Sequence, residues 1–368
     1  MKKEKSKKLS LCLICKEDEI DLALLERALE TGDLFKNVDE ICVTLTTPQT
    51  EKRLALPRFI DKFKIKLSYF DWSDNFAKAR QFNFEQATGD FIFWIDVDDV
   101  VVNSHLLRAY CRRMEKEHID GIVLDYQFSF DQYGYCNTRH KKLRLIKASA
   151  FRDESYYWCG RLHEDLMARR QTKQIFVQDM EIKHIKNLEK TNLKDNPKFK
   201  DIDLTKRSSE RNLQIAQAIY QDEPNDPRHL YNLLNAYFGF EQWEKVIEYG
   251  KLFLEKSHSE MEKYIVWIRI GDAFYNIQDF ESAVCAYENC LVIAPWLPDG
   301  YLSLGRAYYA LDKIKHAKEF LLDGLRRAGT GKHQYEMIAW NPREYDLLGL
   351  QLLAACYFKM SDLEKATE

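Results

Sequence analysis

The sequence predicts an α/β domain built on a mostly parallel sheet, followed by an all-α domain of stacked helical repeats. Three observations carry that expectation. Strand-like and helix-like patterns alternate over the first 130 residues at lengths that suit βαβ units. A short apolar run, Phe91 to Ile95, breaks at once into the carboxylates Asp96, Asp98 and Asp99. Beyond residue 226, aromatic and small residues recur at a spacing of 34.

Leu9 to Cys15 reads as the first strand, and Asp21 to Glu30 as a helix whose Leu22, Leu25 and Leu29 return at helical spacing. Val38 to Leu45 is a second strand, and Lys64 to Phe70, alternating polar and apolar, a third. A helix is expected from about Asn75 to Ala87, closed by Thr88-Gly89-Asp90. Phe91 to Ile95 has the aromatic and β-branched content of a strand covered on both faces. Asn103 or Ser104 is placed to cap a helix through Glu117, and Gly121 to Phe130 reads as a further strand. No glycine loop for phosphate is present: GTGKH, at Gly329 to His333, lacks both the upstream glycine and the following hydroxyl residue of a P-loop.

Composition bounds the function classes. The 368 residues leave room for two or three domains, each with its own core. Apolar residues at 45% and charged residues at 31% are ordinary globular usage, and a net charge of −3 gives no protein-wide field for nucleic acid. No apolar run approaches the roughly 20 residues of a membrane span, and the basic start at residues 1–8 reads as a flexible leader without a signal core. Nine scattered cysteines imply reduced thiols and a cytoplasmic protein; Cys12 and Cys15 have CxxC spacing but no second pair completes a zinc site.

The chemistry concentrates at Asp96 to Asp99. Side chains alternate along an extended chain, so Asp96 and Asp98 are expected on one side and Asp99 on the other. Like charges beyond the carboxyl end of a central strand repel, and a hard divalent cation, Mn²⁺ or Mg²⁺, relieves that cost. Ligands in open α/β sheets bind at that edge. The competing reading is a solvated loop before the next helix. A second acidic stretch is GRLHEDL, Gly160 to Leu166, which by itself also reads as a helix start. His184 follows a strand, where a histidine is as often structural as functional.

Five stretches in order carry a resemblance: LSLCLICKEDE, YFDWSDNFAKARQFNFEQATGDFIFWIDVDD, YYWCGRLHEDL, DMEIKHIKN and ERNLQIAQAIYQDEPNDPRHLYNL. Together they resemble family 2 glycosyltransferases of the GT-A fold, in particular bacterial ones with a tetratricopeptide tail. The resemblance implies a nucleotide-diphosphate-sugar donor, with a UDP-sugar foremost. It implies that Asp96 approaches the sugar or ribose and that Asp98, with Asp96 and His184, holds the metal. Asp74, Asn75, Ala79 and Arg80 match a stretch beside the nucleotide and donor sugar. Glu164 matches the base that takes the acceptor proton in an inverting transfer, with the adjacent Asp165 as the fallback. His163 could orient an acceptor or phosphate, and Trp158 either stacks on a sugar or is buried beside Tyr156 and Tyr157. There is one departure: Leu45 stands where the family carries an acid for the base of the nucleotide, leaving Thr46 a hydrogen-bonding role there.

The GT-A domain is expected over 9–190, a helical connector over 191–226 and repeats over 227–368. Trp267, Gly271, Phe274, Ala283, Tyr287 and Pro295 have tetratricopeptide spacing, and Tyr301, Gly305, Tyr308, Ala317 and Leu321 repeat it. An earlier degenerate copy includes Leu230, Tyr237 and Val246, and a later one Ala354, Tyr357 and Ala366, the last incomplete. Such a stack suits an acceptor peptide or glycan, or a second copy of the chain. The rival from another class is a non-catalytic scaffold that has lost donor binding, for which Leu45 speaks.

Overall fold

The computed structural model describes residues 7–47, 56–336 and 339–361. Most of the basic leader, residues 48–50 beyond Thr47, and the last part of the final repeat with Ala366 lie outside them. Two compact units result, one of residues 1–129 with 139–205, the other of 130–138 with 206–368.

The first unit is a layered α/β structure. Its strands are β1 (Leu9–Lys16), β2 (Glu40–Thr47), β3 (Lys66–Asp71), β4 (Phe91–Trp94), β5 (Asp99–Val102), β6 (Gly121–Phe130), β7 (Cys136–Lys147) and β10 (Gln174–His184), with β8 (Tyr156–Cys159) and β9 (Asp165–Ala168) forming a separate hairpin. The order in the large sheet is β3-β2-β1-β4-β7-β6-β10-β5. From β3 to β4 every pairing is parallel, β4 pairs β7 antiparallel, and β10 is parallel to β6 but antiparallel to β5. The sheet is mostly parallel, as the alternation of patterns implies, with an antiparallel edge that the pattern does not announce.

Burial explains the run Phe91 to Trp94: its side chains feed alternately into two cores, Phe91 and Phe93 into one and Ile92 and Trp94 into the other. Helix α1 (Glu19–Glu30) begins where the Asp18 carboxylate accepts from the backbone of Ile20 and Asp21, and buries Leu22, Leu25 and Leu29. Helix α2 (Phe76–Glu85) starts at Asn75, whose side chain accepts from Lys78 N at 2.9 Å. Helix α3 (Leu107–Glu117) ends at His118 in the left-handed region, φ +53. Among the described residues no helix is long and apolar enough to cross a membrane.

In the second unit helices pair in antiparallel fashion after α4 (Leu204–Asp222): α5 (Pro227–Gly239) with α6 (Trp243–Lys256), α7 (Glu260–Asn276) with α8 (Phe280–Ile293), and α9 (Asp299–Ala310) with α10 (Ile314–Gly329), then α11 (Gly349–Lys359). The 34-residue spacing has a steric cause. A Cβ on Gly271 would sit 2.3 Å from the Tyr287 ring, and one on Gly305 would sit 2.6 Å from Leu321. Each glycine therefore lets the second helix of its own pair approach closely, and both facing side chains are buried.

One polar group in this unit is unusual. Asp299, in the first turn of α9, accepts from the Tyr345 hydroxyl at 2.9 and 3.0 Å, and burial pushes its carboxyl up to about 7. An acid whose folded pKa is raised binds its proton more tightly folded than unfolded, so stability declines as pH rises from the ordinary carboxylate range through about 7. Thermal midpoints should therefore fall between about pH 5 and about pH 8. Asp299→Asn, which keeps a neutral group there, should remove most of that fall; an unchanged slope in the variant would show that Asp299 does not titrate in this window.

Candidate active site

The site forms at the carboxyl end of β4. The chain does not stay extended there. Asp99 N donates to Asp96 O (3.1 Å), while Asp99 Oδ2 accepts from Asp96 N (2.9 Å), so 96–99 is a tight turn. The run is therefore not extended as expected, although Asp99 still parts from the other two: it folds inward and is fully buried, whereas Asp98 and Asp96 keep side-chain exposures of 19% and 30%. Asp99 then opens β5, where its antiparallel partner on β10 is His184. The sheet edge thus brings together an acid and a histidine 85 residues apart.

His184 Nδ1 lies 3.0 Å from Asp99 Oδ1, 3.4 Å from Asp98 Oδ1 and 2.9 Å from the Tyr126 hydroxyl, which itself donates to Asp99 Oδ1 at 3.1 Å. The imidazole stacks on Phe128 with centroids 5.2 Å apart and planes 9° apart. Burial alone would lower the His184 pKa, but Asp98 and Asp99 outweigh it and hold it above its ordinary value. Beneath, Arg27 of α1 donates to the carbonyls of Asn187 (2.6 Å), Ile185 (2.8 Å) and Asp98 (3.4 Å), tying the turn to the end of β10. One ligand atom from each of Asp98, Asp99 and His184 lies within 4.8 Å of the others. Two carboxylates with one imidazole form a donor set that could hold a divalent cation. Asp99 also accepts from the Tyr126 hydroxyl and from Asp96 N, so both of its oxygens are engaged.

Two buried arginines flank Asp96. Arg80, 1% exposed, donates Nη2 to Asp96 Oδ1, Nη1 to Ile95 O (3.2 Å) and Nε to Glu164 Oε1 (3.2 Å). Its guanidinium lies over Trp94 and Trp158, 4.8 and 5.8 Å from the ring centroids. Arg144 of β7, also 1% exposed, places Nη2 3.5 Å from Asp96 Oδ2 and 3.3 Å from Asp99 Oδ2, with its guanidinium 3.7 Å from the centroid of Trp94. Burial would raise the Asp96 carboxyl, but Arg80 and Arg144 overcome it and hold the group well below the carboxylate range. For Asp99, burial and the Asp96 charge prevail over Arg144 and raise the pKa. Glu164 is raised by burial, only partly offset by Arg80, with the Asp96 charge adding to the rise.

Glu164 sits in the loop of the β8–β9 hairpin, whose last pair is Cys159 with Asp165. HED is therefore a hairpin loop and the start of a strand, not a helix start. Gly160 makes the loop possible with φ +93, a backbone that other residues rarely adopt. The two acids part company here: Glu164 reaches Arg80, whereas Asp165 pairs with Lys142 Nζ at 2.6 Å. His163 is exposed, and Trp158 is buried in edge-on contact with Trp94 and Phe84. Exposed Asp74 accepts from Trp72 Nε1 (2.9 Å), Asn75 is committed as the α2 cap, and Ala79 is fully buried. Phe76 N donates to Arg161 O (3.0 Å), so this segment is tied to the Glu164 loop. At the end of β2, Leu45 is core and the Thr46 hydroxyl donates to Cys15 O (3.3 Å). Glu17, just past β1, accepts from the Thr47 hydroxyl (2.7 Å), so that edge carries a carboxylate just beyond the neighbouring strand.

Comparison with known proteins gives likenesses for both parts of the chain. Residues 25–176 match the family model described as glycosyl transferase family 2. The SPbeta prophage-derived glycosyltransferase SunS of Bacillus subtilis (strain 168) is 24% identical over 202 residues, 54% of this chain and 43% of that protein. The TPR repeat-containing protein MJ1428 of Methanocaldococcus jannaschii is 28% identical over 109 residues, 29% of this chain and 18% of that protein. This chain spans less than half the length of either curated relative. Among solved structures, MamA 41-end from Desulfovibrio magneticus RS-1 is similar at a TM-score of 0.37 and 18% identity, covering 45% of this chain and 82% of that one.

Arg80 pairs with two acids, Glu164 mostly withdrawn from water and Asp96 partly so. Arg80→Met should therefore destabilise the protein by up to about 3–5 kcal/mol, because Glu164 loses its arginine and Asp96 keeps only Arg144. Adding Glu164→Gln should recover part of the loss in denaturant titrations. If the double substitution is no more stable than the single one, the Arg80–Glu164 pair contributes nothing to the fold.

Proposed function

We propose, on the premise that residues 25–176 form a glycosyl transferase family 2 domain, that this chain transfers a sugar with inversion from a nucleotide-diphosphate-sugar to an acceptor nucleophile in a metal-dependent reaction. The observation that carries the reading is the pairing of Glu164 and Asp96 on one buried guanidinium, with Asp98 and His184 at the other end of the same turn. A base and a cation site joined through shared residues are what a single displacement at a sugar carbon requires.

In this reading Asp98 and His184, with Asp99 at the same ring nitrogen, would hold Mn²⁺ or Mg²⁺. The cation offsets charge on the departing nucleoside diphosphate, so no separate proton donor is needed. Glu164 takes the acceptor proton on a carboxylate oxygen as the acceptor attacks. Arg80, bound to Glu164 and to Ile95 O, fixes the direction in which that carboxylate faces. Asp96, held ionised by its two arginines, can accept from a sugar or ribose hydroxyl. Asp165 is the alternative base, but its bond to Lys142 favours Glu164. Asp74 and Glu17 are the carboxylates proposed to face the nucleotide, with Thr46 beside them; a UDP-sugar is the first donor to try. The repeats are proposed to hold an acceptor peptide or glycan, or a second copy of the chain, since stacked helical pairs make long surfaces.

Two substitutions test this division of roles. Asp98→Ala should abolish Mn²⁺-dependent binding of the nucleotide-sugar with the melting profile intact, removing several kcal/mol of charge stabilisation. Calorimetry that returns the same affinity with Mn²⁺ would take the turn out of donor binding.

Glu164→Gln should still bind donor while transfer falls by roughly 10² to 10⁴. The base must be ionised and its pKa is raised by burial, so the wild-type rate should fall on acidification at a pH above the ordinary glutamate range. That acid limb should vanish in the glutamine variant. Loss of transfer on Asp165→Asn with Glu164→Gln active would move the base by one residue.

A further inference from the structure

Asp96 is not the end of the charge arrangement. Its two oxygens are taken by different arginines, and each arginine reaches a further acid. From Glu164 the sequence of contacts runs to Arg80 (3.2 Å), to Asp96, to Arg144 (3.5 Å), to Asp99 (3.3 Å), to His184 (3.0 Å) and on to Asp98 (3.4 Å). Charges alternate in sign from Glu164 to Asp99, and Arg80, Arg144 and Asp99 are buried to 1% exposure or less. Trp94 holds both guanidinium groups against its ring, and Tyr126 lies 4.6 Å from that of Arg144. Neither arginine has room to solvate itself, so a change of charge at one end redistributes bonds along the whole line.

We propose that Arg144 is a positioning residue that couples the cation site to the base, so that cation binding at Asp98 and His184 and the state of Glu164 are one linked equilibrium. This rests on the metal-dependent reading above. Arg144 divides its Nη2 between Asp96 and Asp99. When Glu164 loses its charge, Arg80 turns wholly to Asp96, Asp96 needs Arg144 less, and Arg144 closes on Asp99. Asp99 then draws less on His184 and offers less negative charge to a cation. The reverse also holds: a cation at Asp98 and His184 recruits Asp99, releases Arg144 toward Asp96, and leaves Arg80 to hold the Glu164 carboxylate. Linkage requires the two effects to be equal.

The test needs only Mn²⁺ and the full chain, with affinity measured by calorimetry and no substrate present. Glu164→Gln should weaken Mn²⁺ binding by about fivefold or more, the scale of ordinary site-to-site coupling. Asp165→Asn removes a neighbouring charge that is tied to Lys142 and lies off this line; it should leave Mn²⁺ affinity within about twofold. In an Arg144→Lys background, which keeps the charge but not the fork, Glu164→Gln should no longer matter. Equal weakening by Glu164→Gln and Asp165→Asn would reduce the effect to distance-dependent charge and overturn the proposal, with or without a folded Arg144 variant. Unchanged affinity in Glu164→Gln overturns it too, while sparing the cation site. Absence of Mn²⁺ binding by the wild type would remove the metal-dependent reading and this coupling together.

Discussion

The interaction on which this structure depends is the burial of two guanidinium groups among three carboxylates. A carboxylate at the end of a central strand is in the least favourable place for a charge, since the strands beside it are dry on both faces. Asp96 tolerates that position because Arg80 and Arg144 approach its two oxygens from different sides. The arginines tolerate theirs because each has a second acid and an aromatic face. No member of the set can be removed without stranding another. A buried ion network of this kind adds little net stability against an apolar alternative, so its retention is better understood as fixing one geometry.

That geometry is assembled from distant parts of the fold. α2 contributes Arg80, β4 and its turn the aspartates, β7 Arg144, the β8–β9 hairpin Glu164, and β10 His184. The parallel half of the sheet sets the end at which the turn emerges, and the antiparallel edge lays His184 opposite Asp99. The pairing of β5 with β10 thus serves the site more directly than the parallel core does.

Sequence patterns made some of this legible. Phe91 to Trp94 advertised a strand covered on both faces, the stretch from Asn75 a helix, and Gly271 and Gly305 a repeat, because each depends on neighbours close in the chain. The acidic run marked where the candidate site lies. Its internal arrangement was hidden, since whether Asp99 faces in or out depends on a turn closed by its own carboxylate. Arg144 was hidden more completely. It stands in KKLRLIK, where a run of cations reads as a solvated face, and only partners on β4 and β5 make it a buried residue. Leu45 reads as a lost acid in one dimension and as ordinary core in three, with Glu17 just beyond the adjacent strand.

The tip of the β6–β7 hairpin, residues 130–138, belongs to the second unit although the strands on either side of it belong to the first. Within that second unit Asp131 pairs with Arg343 at 2.6 Å, and its own loop is closed by bonds from Tyr133 N and Tyr135 N. Ribosomal synthesis delivers Asp131 long before Arg343. The tip must therefore wait, tethered at both ends, while the repeats are still being made. Order of emergence and order of completion differ in this chain, and a nascent first unit leaves the ribosome with a loop whose partners do not yet exist.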